Sequence, residues 1–475
     1  MSNVLIAWLF AFLFAGQPLA RRDGAPRCRD MHFTFSTAAP NRVAKNPPED
    51  LYSDVEVINA FLQQPVSYVT VSGRFTLFGQ LCSPNSKAEP GWQWQWQWQW
   101  HERHEHENKD EPKLQLLVHG STYNHTYWSS LREPSKPDFE WNGTDADPDL
   151  DELPGQEEGE GDLSLSWVHA ATGRGYHTLA IDRLGQGGSS RPDPVGVVQD
   201  LLQTQLLHLL ARRIRDEDVL GLGFRPALAG DVDRVSEYGG GEVDKGEEIQ
   251  KERGRGRGKL IYVGHSFGSG LGVHLSSSHP DDVDAMLLTG IAVLRPGANP
   301  QPGSNLARWA PAAEAFPDRF PRDLQRAYLV STNKTGRKGL YWSVEGEEFS
   351  SEMFERDWRG QGTNPLGEVL TVAEYLTSLP ADPRLRLFDR PVLVSDGDAD
   401  AIVCSDLGSR DLGPVKCGDG ARDEIAATRA WFPAAVEKGL FETYRQPRAA
   451  HDHLLHKTGY LLIERAHEWL EGLGL

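Results

Sequence analysis

Basic residues, cysteines and long apolar runs are all scarce in this chain of 475 residues. Its 49 lysines and arginines are outnumbered by 68 acidic residues, which leaves a formal net charge of −19. That charge argues against a nucleic-acid partner, because phosphate binding requires a basic surface. The longest apolar run, 4–16, is shorter than the roughly 18 residues that a membrane helix needs. The composition therefore favours a globular protein with no nucleic-acid partner and no stable membrane span.

The apolar run near the start is typical of an export signal. It has the length of a signal-peptide core, and cleavage after residue 20 would make residues 1–20 that peptide. No basic residue precedes the run and Pro18 stands three residues before the cleavage point, so a signal anchor is the alternative. The glycosylation sequons at Asn142 and Asn333 suit an exported protein. We expect secretion to the extracellular space, or retention as a signal-anchored or lumenal protein of the secretory pathway.

The four cysteines agree with an oxidising compartment, where they would form disulfides. Cys28 opens the expected mature region and Cys82 ends a strand-like run, while Cys404 and Cys417 stand in one loop. Several connectivities are compatible with four cysteines. We expect the pairs Cys28–Cys82 and Cys404–Cys417, with four buried free thiols as the alternative.

Three stretches look inserted into the chain, at 84–112, 138–162 and 228–258. The first alternates tryptophan with glutamine before a few histidines, the second carries eleven acidic side chains, and the third ends in an arginine–glycine repeat. Low-complexity tracts seldom carry specific chemistry, which favours loops over a metal site or an RNA-binding segment. The acidic stretch also lacks the glycine and glutamate of an EF-hand calcium loop. We therefore expect flexible loops at the first and third stretches, and no EF-hand at the second.

Apolar runs alternate with helical patterns elsewhere, which is typical of an α/β fold with a mostly parallel sheet and helices on both faces. The alternation stops between 291 and 386, where aromatic residues are frequent. We expect a core of residues 21–290 and 387–475 and a cap or lid of residues 291–386. The aromatic side chains of that cap could line an apolar pocket or form its own core. Strands are expected at 75–81, 114–118, 176–181, 260–263, 285–288, 391–394 and 439–444, and a closing helix at 457–470.

The pentapeptide Gly-His-Ser-Phe-Gly at 264–268 stands between the apolar run 260–263 and small residues that can begin a helix. In this context a G-x-S-x-G sequence places its serine on a sharp turn at the carboxyl edge of a sheet. The glycines leave room where a Cβ would collide with the neighbouring strand and helix. A glycine- and serine-rich turn without chemistry is the alternative. The flanking strand and helix favour Ser266 as the nucleophile of a serine hydrolase.

A serine nucleophile needs a base and an orienting acid, and in such a fold the acid comes next along the chain. The strand at 391–394 is followed by a turn with three candidate carboxylates. The G-x-x-D spacing from Gly397 selects Asp400, whereas Asp396 and Asp398 are expected to be structural. A plain turn aspartate is the alternative for Asp400.

The base is expected near the end of the chain, after the last strand. His451 is the first histidine there and stands shortly before the closing helix. His453 and His456 are expected on or beside that helix as surface residues. A metal site is not expected, because the cluster lacks the carboxylate pattern of metallohydrolases. The expected triad is therefore Ser266, Asp400 and His451.

The reaction also needs hydrogen-bond donors for the oxyanion that forms on the acyl carbon. One is the backbone N–H of Phe267, directly after the nucleophile. The second is expected in the loop after the strand at 114–118, where Gly120 allows a close approach of the backbone. The N–H of Ser121 is the preferred second donor, with Thr122 as the alternative.

These motifs together resemble an α/β-hydrolase-fold serine hydrolase, and particularly secreted fungal members of that superfamily. The likeness spans roughly residues 60–475 outside the insertions. It implies the α/β-hydrolase fold with an inserted cap, the triad and oxyanion hole named above, and no cofactor. The elements that carry the likeness are 119–124, the D-R-x-G-x-G-x-S stretch at 182–189, 264–268, the G-x-x-D spacing at 397–400, and 450–452.

The expected activity is cleavage of a carboxylic ester, lactone or thioester of a small, apolar acyl substrate through an acyl-enzyme intermediate. A peptidase or an acyltransferase would use the same residues and stays open. Epoxide and haloalkane hydrolases of this fold use an aspartate nucleophile, so Ser266 argues against both. A non-catalytic binding protein with the same fold is the alternative from another class.

Overall fold

The structure is a computed structural model of the whole chain. It describes residues 26–43, 57, 60–61, 67–84, 111–133, 165–224, 258–293, 308–342, 349–371, 387–404, 416–418 and 423–475. The expected signal peptide, the sequon at Asn142, and nearly all of the three insertions lie outside these residues.

One large sheet organises the described residues. Its strands are β1 (Arg27–Arg42), β2 (Tyr68–Ser83), β3 (Lys113–Val118), β4 (His177–Ile181), β5 (Lys259–His265), β6 (Ala285–Thr289), β10 (Val392–Gly397) and β11 (Phe441–Gln446). They lie in the order β1-β2-β4-β3-β5-β6-β10-β11. β2 pairs antiparallel with both β1 and β4, and every later pair is parallel. The mostly parallel sheet predicted from the sequence is confirmed.

Helices cover both faces of this sheet, and consecutive strand residues point to opposite faces. Leu116 and Leu288 pack into the core on one face, while Leu117 and Leu287 pack into the core on the other. Burial on both sides explains why these strands read as nearly continuous apolar runs. The helices described over their whole length are α1 (Trp167–Gly173), α2 (Asp200–Glu217), α3 (Phe267–Ser278), α4 (Ala312–Ala315), α5 (Lys334–Arg337), α6 (Ser351–Gly360), α7 (Ala401–Cys404), α8 (Glu424–Ala427), α9 (Pro433–Glu437) and α10 (Gly459–Gly472). The pair α2 and α3 covers the first face, and the pair α1 and α10 covers the second.

In its described residues, the chain between β6 and β10 contributes no strand to the large sheet and forms a second, smaller sheet. Its described parts, 308–342 and 349–371, contain three antiparallel strands in the order β7-β8-β9 and the helices α4 to α6. The strands are β7 (Trp309–Pro311), β8 (Tyr328–Ser331) and β9 (Asn364–Pro365). We call these described parts the inserted segment.

Both expected disulfides are present, which confirms the predicted pairing. Cys28 and Cys82 are directly opposite each other in the β1–β2 ladder, and Cys404 at the end of α7 is joined to Cys417. Among the described helices, none combines the length and the apolar character that crossing a bilayer requires.

The seven predicted strands correspond to β2, β3, β4, β5, β6, β10 and β11, and the closing helix is α10. β1 was not predicted. It is an edge strand that contains a proline, and edge positions are where a sheet tolerates proline.

Candidate active site

Ser266 stands on a tight turn between β5 and α3. Its φ of 51° and ψ of −117° lie in a strained region for a residue with a side chain. A Cβ at Gly264 would come within 2.7 Å of the backbone of Ser269, and one at Gly268 within 2.2 Å of the carbonyl oxygen of Val118. Both flanking glycines are therefore needed for the turn to pack against the sheet.

His451 lies between Ser266 and Asp400. Its Nε2 is 2.8 Å from Ser266 Oγ and its Nδ1 is 2.6 Å from Asp400 Oδ2. With the proton on Nδ1, the imidazole donates to the carboxylate and accepts from the serine hydroxyl. Asp400 and His451 are buried, whereas Ser266 is partly exposed. The three side chains follow β5, β10 and β11, whose carboxyl ends share one edge of the sheet.

The charge of Asp400 controls the titration of His451. Burial alone would lower the pKa of His451, but the Asp400 carboxylate favours the imidazolium and raises that pKa above 6.5. Burial raises the pKa of Asp400, yet the charge and hydrogen bond of His451, together with donors including the N–H of Val403, lower it to about 2. Asp400 is therefore ionised over the whole range in which His451 titrates.

A second carboxyl group, Asp396 at the end of β10, is buried beside Asp400. Its Oδ1 accepts a hydrogen bond from the N–H of Gly397 at 2.8 Å, and its Oδ2 has no donor within the described part of the chain. The polar atoms of Asp396, Asp400 and His451 lie within 4.8 Å of one another. Burial and the adjacent charge of Asp400 raise the pKa of Asp396 well above its usual value. Burial and the adjacent charge therefore favour the neutral form of Asp396, which could donate its proton to Asp400.

The loop after β3 lies directly against the serine. A Cβ at Gly120 would come within 2.9 Å of Ser266 Cβ, so a larger residue would push the loop away. Among the described residues, the backbone N–H groups of Ser121 and Phe267 find no acceptor. These are the two donors that the sequence analysis preferred, and they stay predictions.

Thr122, the alternative donor, has a φ of 65°, in the left-handed region that β-branched residues rarely adopt. The inserted segment holds it there from two sides. The N–H of Gly362 donates to the Thr122 carbonyl at 2.7 Å, and Nη1 of Arg337 donates to Thr122 Oγ1 at 3.1 Å. Arg337 is itself buried and paired with Asp357. The inserted segment and the loop after β3 are therefore joined at the site.

His453 and His456 were predicted at the surface, and this prediction is wrong because both are fully buried. The chain folds inward between β11 and α10 instead of running along the surface into the helix. Nδ1 of His453 is 3.0 Å from the carbonyl oxygen of His451, and Nδ1 of His456 is 3.0 Å from that of Asp452. Burial lowers the pKa of both histidines, that of His453 to about 3. Neutral and hydrogen-bonded, they hold the loop that carries His451.

Sequence reasoning also missed a buried network that joins the serine turn to the histidine loop. Asp452 accepts a short hydrogen bond from the Tyr123 hydroxyl, and its Oδ1 is 3.1 Å from Nε2 of His265. The ring of Tyr127 stacks on His265 at a centroid distance of 4.4 Å. Asp452 belonged to a recognised motif, but nothing in the sequence indicated these partners, which are distant along the chain.

The D-R-x-G-x-G-x-S stretch shapes the loop after β4. Asp182 Oδ1 accepts from the N–H of His125 at 2.7 Å, and its Oδ2 accepts from the N–H of Gly188 at 2.7 Å. A Cβ at Gly187 would collide with this carboxylate at 1.9 Å, and Ser189 Oγ donates to the Asp182 carbonyl at 2.6 Å. The motif therefore organises structure next to the site.

Some aromatic side chains of the inserted segment pack against the core of the large sheet, and another lies near His451. Trp342 packs against Phe349 and Phe354, with centroids 5.1 and 5.8 Å away, and belongs to the core cluster on the second face of the large sheet. Tyr341 instead lies with its ring centroid 5.7 Å from that of His451.

Besides Asp396, Asp400 and His451, one other group among the described residues has the spacing of possible metal ligands. It consists of His208, His279 and Asp282. The two imidazoles are stacked at 3.6 Å and nearly parallel, and Asp282 Oδ2 already bonds His208 Nδ1 at 2.7 Å. Nitrogen lone pairs lie in the ring plane, so parallel stacked rings cannot both point at one ion. This arrangement does not fit a metal.

Comparison with known proteins supports the fold. Residues 254–409, about a third of the chain, match a family model described as the alpha/beta hydrolase fold. That range includes Ser266 and Asp400. No curated protein shows significant similarity in sequence.

Many solved structures are similar at low identity. A thermophilic esterase from Thermogutta terrifontis is 15% identical with a TM-score of 0.41, over 84% of this chain and 94% of that one. A peroxisomal alpha-beta-hydrolase from Saccharomyces cerevisiae is 11% identical with a TM-score of 0.40, over 94% and 90%. An epoxide hydrolase from Vigna radiata is 12% identical with a TM-score of 0.41, over 84% and 95%. The strand order of the large sheet and the matched family model together show that this chain has the α/β-hydrolase fold.

Proposed function

We propose that this protein is a serine hydrolase that cleaves an ester, lactone or thioester of a small, apolar acyl substrate through an acyl-enzyme intermediate. The observation that carries the proposal is the hydrogen-bonded chain from Ser266 through His451 to Asp400. The strained turn at Ser266 adds support, because strain of this kind is characteristic of nucleophiles on such turns.

In the proposed reaction, Ser266 Oγ attacks the acyl carbon while Nε2 of His451 takes the hydroxyl proton. Asp400 accepts from Nδ1 throughout, which holds the imidazole in the correct tautomer and stabilises the imidazolium. The N–H groups of Ser121 and Phe267 bind the oxyanion. His451 then returns the proton to the leaving alcohol or thiol. In the second half of the reaction, His451 takes a proton from the water that attacks the acyl carbon and gives it to Ser266 Oγ as the acid leaves. Only groups of this chain and water take part.

We further propose that residues 291–386 form a cap over a core of residues 21–290 and 387–475. Two contacts support this division. The N–H of Asp452 donates to the carbonyl of Tyr341 at 3.0 Å, and the inserted segment bonds Thr122 as described above. Tyr341 near His451 would present an apolar ring to the acyl group, which supports an apolar substrate.

We also propose that the protein is secreted. The two disulfides support an oxidising compartment, since such bonds are rare in the cytosol. Expression of the full chain with a test for the cleaved protein in the medium decides between secretion and a signal anchor. Cell-associated, uncleaved protein would contradict secretion.

Labelling with a serine-directed fluorophosphonate tests the nucleophile. We expect the wild type to label and Ser266→Ala to remain unlabelled. The matched control is Ser276→Ala, since Ser276 is a buried serine of α3 whose Oγ only donates to a carbonyl of its own helix. Equal labelling of folded Ser266→Ala and wild type would refute the proposal.

Turnover of p-nitrophenyl esters separates an enzyme from a binding protein. We expect His451→Ala to abolish turnover and His177→Ala, a half-buried histidine at the start of β4, to preserve it. A folded wild type that turns over neither esters nor lactones, thioesters or peptides would favour the non-catalytic alternative.

A further inference from the structure

The loop after β3 is held by a buried arginine from the loop after β4. Arg183 is 2% exposed. Its Nε donates to the carbonyl of His119 at 3.0 Å, and its Nη2 donates to the carbonyl of Gly120 at 3.1 Å. His119 reinforces this contact, because its Nδ1 is 2.8 Å from the same Gly120 carbonyl and its Nε2 accepts from the N–H of Arg183.

The Gly120 carbonyl belongs to the same peptide unit as the N–H of Ser121. A trans peptide is planar, so its C=O and N–H point in opposite directions and turn together. Donors that fix the Gly120 carbonyl therefore fix the direction of the Ser121 N–H. Hydrogen bonds in series also polarise one another, which makes that N–H a stronger donor.

The guanidinium is fixed in turn by the inserted segment. Glu368 is buried and accepts from Nη1 and Nη2 of Arg183, the latter at 3.1 Å. Gln203 of α2 accepts from Nη1 at 3.1 Å and donates to Glu368 at 2.9 Å. A forked guanidinium bound to both carboxylate oxygens has a defined plane, which a lysine could not reproduce.

Arg183 also reaches the other half of the oxyanion hole. Its guanidinium carbon is 4.7 Å from the centroid of the Phe267 ring, a cation–π contact with the residue after the nucleophile. One side chain thus contacts the carbonyl of the peptide unit that carries the Ser121 N–H and the ring of Phe267, the residue that carries the second expected donor.

We propose that Arg183, held by Glu368, is a positioning residue that directs the backbone N–H of Ser121 toward the oxyanion. This inference rests on the proposed serine hydrolase function, since it needs a reaction with an oxyanion. It also selects Ser121 over Thr122, because the peptide unit that Arg183 fixes carries the N–H of Ser121.

Kinetics of Arg183→Lys and Arg183→Gln on a matched oxoester and thionoester test the inference. Removal of an oxyanion donor costs roughly 10²- to 10³-fold in kcat, so a misdirected donor should cost about 10- to 100-fold with KM little changed. The thionoester, whose sulfur accepts hydrogen bonds poorly, should lose much less. The ratio of the two kcat/KM values should fall accordingly, which a general loss of folded protein cannot produce.

Arg215→Lys is the matched control. Arg215 is also 2% exposed, donates to the carbonyl of Asp282 at 2.6 Å and pairs with Asp284. Both partners directly precede β6, so Arg215 lies at the amino ends of the parallel strands, away from Ser266. We expect it to lower the unfolding midpoint and leave the oxoester-to-thionoester ratio unchanged.

The inference fails separately from the function. If the wild type is active and Ser266→Ala is inactive, but folded Arg183 variants keep the wild-type ratio, the positioning role is overturned while the hydrolase stands. If the Arg183 variants do not fold, Glu368→Gln decides. It keeps the shape of the partner while removing its charge, and it should lower oxoester kcat several-fold with the thionoester spared. An unchanged ratio in that variant would also overturn the inference.

Discussion

Replacement of Asp396 by asparagine tests whether the second buried carboxyl group is a neutral donor to Asp400. An asparagine has the same shape, its NH₂ can donate to Asp400, and its oxygen can still accept from the N–H of Gly397. If Asp396 is protonated in the native protein, Asp396→Asn changes neither the charge nor the pattern of hydrogen bonds. We therefore expect ester turnover close to that of the wild type.

The distance between Asp396 and His451 sets how large the effect would be if Asp396 were instead ionised. An ionised Asp396 would place a charge within 4.8 Å of a polar atom of His451. At an effective dielectric constant of about 20, such a charge is worth roughly 3.5 kcal/mol, or about 2.5 pKa units. Its removal would shift the pKa of His451, and with it the acid limb of kcat/KM, downward by that order. A shift of this size in Asp396→Asn would refute the neutral acid, whereas we expect an unchanged limb.

Stability supplies an independent measurement. Because the pKa of Asp396 is raised in the folded protein, its contribution to the free energy of unfolding is fully present below the model-peptide value of 3.8 and is lost as pH rises toward the raised pKa. Asp396→Asn lacks this loss. In urea unfolding, the free energy of unfolding of Asp396→Asn relative to that of the wild type should therefore increase as pH rises from 4 toward neutrality.

Three further predictions concern the same region. Asp400→Asn should lower kcat by roughly 10⁴-fold. It should also move the acid limb of kcat/KM to lower pH, because His451 loses the charge that raises its pKa. A pH–rate profile measures both effects. The double variant Cys404→Ser and Cys417→Ser should lose about 2–4 kcal/mol of unfolding free energy and part of kcat, because the disulfide fixes the chain that follows β10. Urea unfolding and steady-state kinetics measure these losses, and unchanged values would contradict a stabilising role of the disulfide. Gly268→Ala should abolish folding or activity, because its Cβ would meet a carbonyl oxygen of β3 at 2.2 Å, whereas Gly173→Ala, where the space is open, should be tolerated in a thermal melt.

The parts of the fold that could be predicted are those in which local sequence and burial agree. A parallel strand buried on both faces must be apolar throughout. Runs such as 114–118 can therefore be recognised as strands in the sequence, even when the neighbouring strands are unknown. The glycines at 264 and 268 were equally informative, because each removes a specific collision with the neighbouring backbone. β1 lacked such a signal over most of its length, although the alternation of Phe33 and Phe35 on one face could have indicated it.

The parts that could not be predicted depend on contacts between distant residues. The sequence analysis placed His453 and His456 at the surface, but the loop that carries them packs against the inserted segment. The N–H of Asp452 donates to the Tyr341 carbonyl, and Nε2 of His456 lies 3.2 Å from the carbonyl oxygen of Trp342. The proximity of Asp396 to Asp400 has a similar origin, since the spacing along the chain could rank the carboxylates but could not show that both are buried side by side. The role of Arg183 depends on Glu368, which is far along the chain and has no motif of its own.

The positions where the insertions join the described chain bear on the choice between an enzyme and a binding protein. The first insertion runs from the end of β2 to the start of β3, and the third runs from the chain after α2 to the start of β5. Their flanks meet, since the N–H of Lys259 donates to the carbonyl of Pro112 at 2.8 Å and a Cβ at Gly258 would contact both Pro112 and Phe224 at 2.9 Å. These are the amino ends of parallel strands, whereas Ser266 follows a carboxyl end. The first and third insertions are thus attached at the ends of the strands opposite the serine, so the presence of these two is no argument for a binding protein over an enzyme.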